Sequence, residues 1–268
     1  TDAEPVTIIE GDCLEVMKHL PKGVIDAVVT SPPYDNLRNY ESGLSWDFHE
    51  TAKQLATSLK DGGTITWVVA DATIDGSETG TSFRQALYFK DELGLRIHDT
   101  MIWERESLPL NHDRYEQTFE YCFIFSKGKP KSFNGIRKPC AQAGRKQCYT
   151  STTRQGGDKV RNLNTVEPVH ANKLRGNVWW IESGFMKATK YKEAYNHPAI
   201  FPEQLAREHV ASWTNNNDII LDPFAGSGTT GVAAIAEGRK CILIEREPKY
   251  VAIIRKRIAL ALGRDKSQ

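Results

Sequence analysis

Cysteine is scarce: Cys13, Cys122, Cys140, Cys148 and Cys241 are an odd number of residues scattered over 268 positions. No Cys-x-x-Cys pair or histidine at metal-ligand spacing accompanies them, which argues against a disulfide framework or a zinc module and predicts a reducing compartment and no metal. Long apolar runs are missing as well, so nothing reads as a membrane span, and the first residues carry no secretory pattern. The expectation is a soluble cytoplasmic protein. A charge bias is also lacking, with 35 basic against 34 acidic side chains, so the total says nothing about a polyanionic partner.

The distribution of charge is less even. From Lys127 to Lys192 there are fifteen basic residues against three acidic ones, on a segment rich in Gly, Asn and Thr. A local excess of twelve positive charges suits a polyphosphate surface, although a solvated loop face would have the same composition. The length allows one sizeable core carrying an insertion.

One stretch near the C-terminal end organises the rest. Ile219 to Thr230 reads Ile-Ile-Leu-Asp-Pro-Phe-Ala-Gly-Ser-Gly-Thr-Thr: a β-branched run, an Asp-Pro turn, a Gly-x-Gly bend, then the start of an apolar helical pattern. Strand, tight loop and helix follow, with glycines that admit a ligand close to the backbone and unpaired N–H groups at the helix start facing an anionic group. The next strand, Lys240 to Ile244, ends at Glu245, where a carboxylate can accept hydrogen bonds from ribose hydroxyls. Far upstream, the strand Ile25 to Val29 runs into Thr30-Ser31-Pro32-Pro33-Tyr34. Two prolines fix φ, remove two donors and push Ser31 out of the helical region, so the carbonyls there form a rigid cluster of acceptors.

Together these strings resemble the motifs of the permuted β group of amino-methylating DNA methyltransferases. The resemblance covers nearly the whole chain. It implies an α/β, Rossmann-like, AdoMet-dependent methyltransferase fold with a mostly parallel seven-stranded sheet, in which Leu95 to Phe125 supplies an antiparallel hairpin. Residues 1–127 would be the catalytic half, 128–195 an inserted target-recognition segment and 196–268 the AdoMet-binding half. S-adenosyl-L-methionine is the implied methyl donor and double-stranded DNA the implied substrate, with a homodimer and a companion restriction endonuclease as further partners.

Site residues are carried over position by position. Ser31, Pro32, Pro33 and Tyr34 are the expected catalytic block, with Tyr34 stacking on a flipped base. Asp222, Pro223, Phe224, Gly226, Ser227, Gly228, Thr229 and Glu245 are expected at the cofactor, joined by Phe201 of the block His197-Pro198-Ala199-Ile200-Phe201-Pro202. Asp12 and Cys13 belong to the same side. Asp12 reads either as a helix N-cap or as an acceptor for the adenine amine, and both roles are compatible. For DNA contact the candidates are Arg38, Phe119, Arg137, Lys138, Arg145, Lys146, Arg154, Arg161 and Arg175. Relatives often carry His-Glu-Tyr where this chain has Phe119-Glu120-Tyr121, which leaves stacking but not hydrogen bonding to Phe119. Trp179-Trp180 reads as core in preference to a base wedge.

Serine before Pro-Pro-Tyr is typical of N4-cytosine enzymes, while Asp or Asn is usual in N6-adenine enzymes, so N4-cytosine is expected and N6-adenine is the alternative. A DNA-binding protein that had lost catalysis would not need both blocks intact. A dehydrogenase would place its glycine loop near the N-terminus and leave residues 30–34 unexplained.

Overall fold

The computed structural model describes residues 4–33, 46–106, 114–149, 152–155, 158–161, 165–197 and 200–264. Two compact units separate: Thr1–Asn134 with Asn177–Gln268, and Gly135–Gly176. The second lies inside the expected 128–195 insertion and is narrower.

In the first unit the elements run β1 (Val6–Glu10), α1 (Cys13–Lys18), β2 (Ile25–Thr30), α2 (Phe48–Ser58), β3 (Leu59–Val69), α3 (Thr81–Leu87), β4 (Arg96–Glu104), β5 (Phe119–Ser126), β6 (Val178–Trp180), α4 (Glu203–Trp213), β7 (Ile219–Asp222), α5 (Thr229–Ala236), β8 (Lys240–Glu245) and α6 (Pro248–Ala261). The sheet order is β1-β8-β7-β2-β3-β5-β4-β6, and only β5 runs against its neighbours. The short β6 adds an eighth strand to the seven implied, and on it Trp179 is buried while Trp180 is half exposed. Among the described residues no helix is long and apolar enough to cross a membrane.

Helices cover both faces because the central strands are apolar on both. In β7, Leu221 packs into the core under α1, α2 and α3, while Ile220 packs into the core under α4, α5 and α6. β2 and β7 lie side by side, pairing Ala27 with Ile220 and Val28 with Leu221. From this pair the chain winds in opposite directions, β2 to β3 on one side and β7 to β8 on the other. Such a switch point leaves a crevice at the carboxyl ends of the strands.

Asp61-Gly62-Gly63 has the composition of a helix stop, yet α2 ends earlier, at Ser58, and the chain enters β3 at once. The glycines sit in a bulge between the pairs Ile25–Leu59 and Ala27–Thr64. Gly62 has φ +76°, and its N–H donates to the Lys127 carbonyl at 2.7 Å. A positive φ serves a bulge as well as a helix end, so composition alone does not separate them.

The second unit is a nested hairpin. Arg137–Pro139 pairs with Asn172–Leu174, Lys146–Tyr149 with Thr165–Pro168, and Thr152–Gln155 with Asp158–Arg161, all antiparallel. The register sets Lys138 opposite Lys173. Like charges placed directly across a ladder destabilise it.

Candidate active site

One cavity opens at the carboxyl edge of the sheet, over the switch point. Ser31, Pro32 and Pro33 line it from the end of β2, and Asp222, Pro223, Phe224, Gly226, Ser227 and Thr229 from the loop between β7 and α5. Two segments distant in sequence therefore share one pocket.

Asp222 joins them. Thr30, the last residue of β2, donates to Asp222 Oδ1 at 2.7 Å, and Thr230 in the first turn of α5 donates to Oδ2 at 2.7 Å. The Phe224 N–H adds a bond to Oδ1 at 3.1 Å. Burial pushes the carboxyl pKa up against the pull of these three bonds. The side chain braces both loops from beneath the cavity.

Glu245 also spends its carboxylate on backbone. Oε2 accepts from the Gly226 N–H at 2.8 Å and Oε1 from the Glu247 N–H at 2.9 Å, while burial raises the pKa. It nevertheless lines the cavity. Gly226 has φ +53°, and a Cβ there would stand 3.1 Å from the His197 ring, which packs on Tyr250 with centroids 4.3 Å apart. Gly228 is not part of the lining; its left-handed φ of +82° favours glycine, and a Cβ on it would also stand 3.1 Å from the Ile254 side chain of α6.

Beneath the loop lies Arg257, with its side chain fully buried. Its Nη1 donates to the Ser227 carbonyl at 2.5 Å and hydroxyl at 2.8 Å, and to Thr229 Oγ1 at 3.3 Å. Its Nη2 donates to Glu203 Oε1 at 2.6 Å, and the guanidinium lies 5.4 Å from the Tyr191 ring centroid. Burial lowers the guanidinium pKa, with Glu203 opposing.

Asp12 caps α1, accepting from the Leu14 and Glu15 N–H groups at 2.9 and 3.3 Å, and faces the cavity as well. The buried Cys13 thiol is pushed up to about 12, by burial first and then by Asp12. Phe201 is in the wall. Tyr34 and Arg38 fall outside the described residues, as do the side chains of Lys146, Arg154 and Arg161. Arg137, Lys138 and Arg145 are exposed and Arg175 partly so, all in the second unit. Phe119 is not brought to the cavity: it continues a ladder of rings through Tyr121, Phe123 and Phe125, and its neighbour Glu120, on the other face of β5, lines the wall instead.

A DNA methylase family, that of the N6 and N4 methyltransferases, matches residues 25–256. The chain belongs to this family. The orphan methyltransferase M.BamHII of Bacillus amyloliquefaciens is 49% identical over 237 residues, spanning 87% of this chain and 88% of that one. The DNA adenine methyltransferase YhdJ of Escherichia coli K12 is 28% identical over 270 residues, spanning 96% and 84%. Among solved structures, the PvuII DNA methyltransferase (cytosine-N4-specific) superposes with a TM-score of 0.69 at 23% identity, covering 95% of this chain and 86% of that one. That likeness shows the methyltransferase fold.

In this DNA methylase the wall contains residues that sequence reasoning missed. Trp46 packs edge-on to Phe224 at 5.2 Å, and Tyr250 backs His197. Trp103 and Glu120 enter from β4 and β5. Trp46 ends a polar stretch that reads as loop, and Tyr250 sits in an ordinary amphipathic helix, so neither carries a local signal. Glu120 did carry one, as the sole charge within an aromatic strand.

Proposed function

We propose that this DNA methylase transfers a methyl group from AdoMet to the exocyclic N4 of a cytosine flipped out of duplex DNA. The observation that carries the reading is the shared cavity: the Ser31-Pro32-Pro33 acceptor block and the glycine loop face one space at the switch point. The residues fit such a donor. Glu245 stands at the end of β8 for ribose hydroxyls, Asp12 at the end of β1 for an adenine amine, aromatic Phe201 and Phe224 form the walls, and the N-terminus of α5 supplies N–H groups for a carboxylate.

AdoMet, when bound, supplies a methyl group already activated by the sulfonium. The protein has to prepare the nucleophile. An exocyclic amine is weakly nucleophilic because its lone pair is delocalised into the ring. The Ser31 hydroxyl and Pro32 carbonyl accept its two N–H groups, draw the nitrogen toward sp³ and localise that lone pair. Catalysis rests on positioning and on preorganised acceptors. Asp222, by tying Thr30 to the loop, holds the two halves of the site in register.

Duplex DNA is supported as the substrate by the second unit. Its like-charge pair, Lys138–Lys173, is unfavourable alone and is relieved by phosphates. N6-adenine is the second reading, favoured by the similarity to an adenine enzyme. Nucleoside analysis of DNA from cells expressing the chain decides between them: N4-methylcytosine is expected, and N6-methyladenine alone would overturn the choice. Mapping the modified positions on the genome gives the recognised sequence.

A further inference from the structure

The proposed reaction leaves one proton without a destination. As the base nitrogen bonds the methyl carbon, the carbon–sulfur bond breaks and its electron pair goes to sulfur. The nitrogen then carries a positive charge and must lose one N–H proton. The Pro32 carbonyl cannot keep that proton.

Among the described residues, five carboxylates line the cavity: Asp12, Glu120, Asp222, Glu245 and Glu247. Asp222 is buried under hydrogen bonds from Thr30, Thr230 and Phe224, and Glu245 holds the Gly226 and Glu247 N–H groups. Asp12 caps α1 at the end of β1, and Glu247 precedes α6 beside β8. These four lie on or just past the strands β1, β8 and β7, on the cofactor side of β2. Of the five, Glu120 alone lies across β3, on β5.

The register places it more closely. Thr30 pairs with Trp67, Val69 pairs with Tyr121, and Trp103 pairs with Glu120. Glu120 is therefore level with the Ser31–Pro33 block and two strand spacings away, about 10 Å between backbones. That gap suits a single nucleobase ring between side chains. The indole of Trp103 is held beside it by a bond from Nε1 to the Ile181 carbonyl at 2.9 Å. Glu120 is 4% exposed, and Arg105 Nε donates to its Oε1 at 3.1 Å, which orients the carboxylate. Resting on the methyl-transfer reading above, we propose that Glu120 is the catalytic base that takes the amine proton.

The test uses the full-length protein and a duplex carrying the mapped site. Glu120→Gln keeps the shape and removes the base; single-turnover methylation should fall about 100-fold, the lower range for general base catalysis. AdoMet affinity by calorimetry and duplex affinity by anisotropy should stay within about twofold of the parent. Glu120→Asp, which keeps the charge but withdraws it by one methylene, should fall between the parent and Glu120→Gln, and it serves if the glutamine variant misfolds. A Glu120→Gln rate within about twofold of the parent overturns the assignment. So does a loss of cofactor or DNA affinity that accounts for the slower rate, since that marks a structural ion pair with Arg105. A parent that binds AdoMet yet methylates nothing sinks the methyl-transfer reading itself.

Discussion

At the scale of single residues, the site divides into side chains that face the cavity and side chains that hold it. Ser31 is of the first kind, so Ser31→Ala should lower single-turnover methylation by about 100-fold while calorimetric AdoMet affinity is unchanged. Equal losses in both would remove its role at the base. Arg257 is of the second kind. Its five-donor fork reaches Ser227, Thr229 and Glu203 at once, which a lysine ammonium cannot reproduce in that geometry. Arg257→Lys should weaken AdoMet about tenfold, or about 1.4 kcal/mol. Ser31→Ala and Arg257→Lys thus separate turnover from affinity, and a lysine variant with lowered melting temperature but parental affinity would make Arg257 purely structural.

At the scale of elements, the two strands that carry the site are pinned at their opposite ends. Asp26, near the start of β2, is buried and accepts from the Ile219 N–H at 2.9 Å, from Lys60 at 2.8 Å and from Lys131. Burial alone would raise its pKa, but Ile219, Lys131 and Lys60 outweigh it and hold the carboxyl below its ordinary 3.8. A lowered folded pKa means that this stabilisation is present above the ordinary value and is lost as the pH falls through the folded one. Asp26→Asn should therefore cost about 2 kcal/mol at neutral pH, discounted because both lysines are more than a third exposed. Denaturant titrations should show the difference from the parent shrinking below about pH 4. A difference that persists to pH 2 would mean that the ionised form is not what matters. The Lys60–Gly63 bulge belongs to the same device, since it keeps β3 paired with β2 after the chain leaves α2 without a loop.

At the scale of the whole molecule, charge is segregated although the total nearly vanishes. The nested hairpin of the second unit sets Lys138 opposite Lys173, which costs stability when no anion is near; on the proposed reading, duplex phosphates relieve it. Lys138→Gln should raise the thermal midpoint slightly, weaken duplex binding and reduce the slope of log affinity against log salt by about one. An unchanged salt slope would take this pair off the DNA surface.

Local chemistry by itself determined much of this protein. Asp222-Pro223-Phe224 with Gly226 and Gly228 demands a strand, a tight turn and a helix, and Ser31-Pro32-Pro33 demands a rigid acceptor block. These are properties of neighbouring residues, so the chain states them directly. Tertiary structure decided what depends on partners far away in sequence. Asp222 proved to be a brace because Thr30 lies against it, Gly228 packs close against Ile254 of α6, and Glu120 displaced Phe119 at the wall because strand pairing settles which face of β5 meets the cavity. Each of those outcomes turns on which side chains meet across the fold, and no local pattern encodes a meeting of that kind.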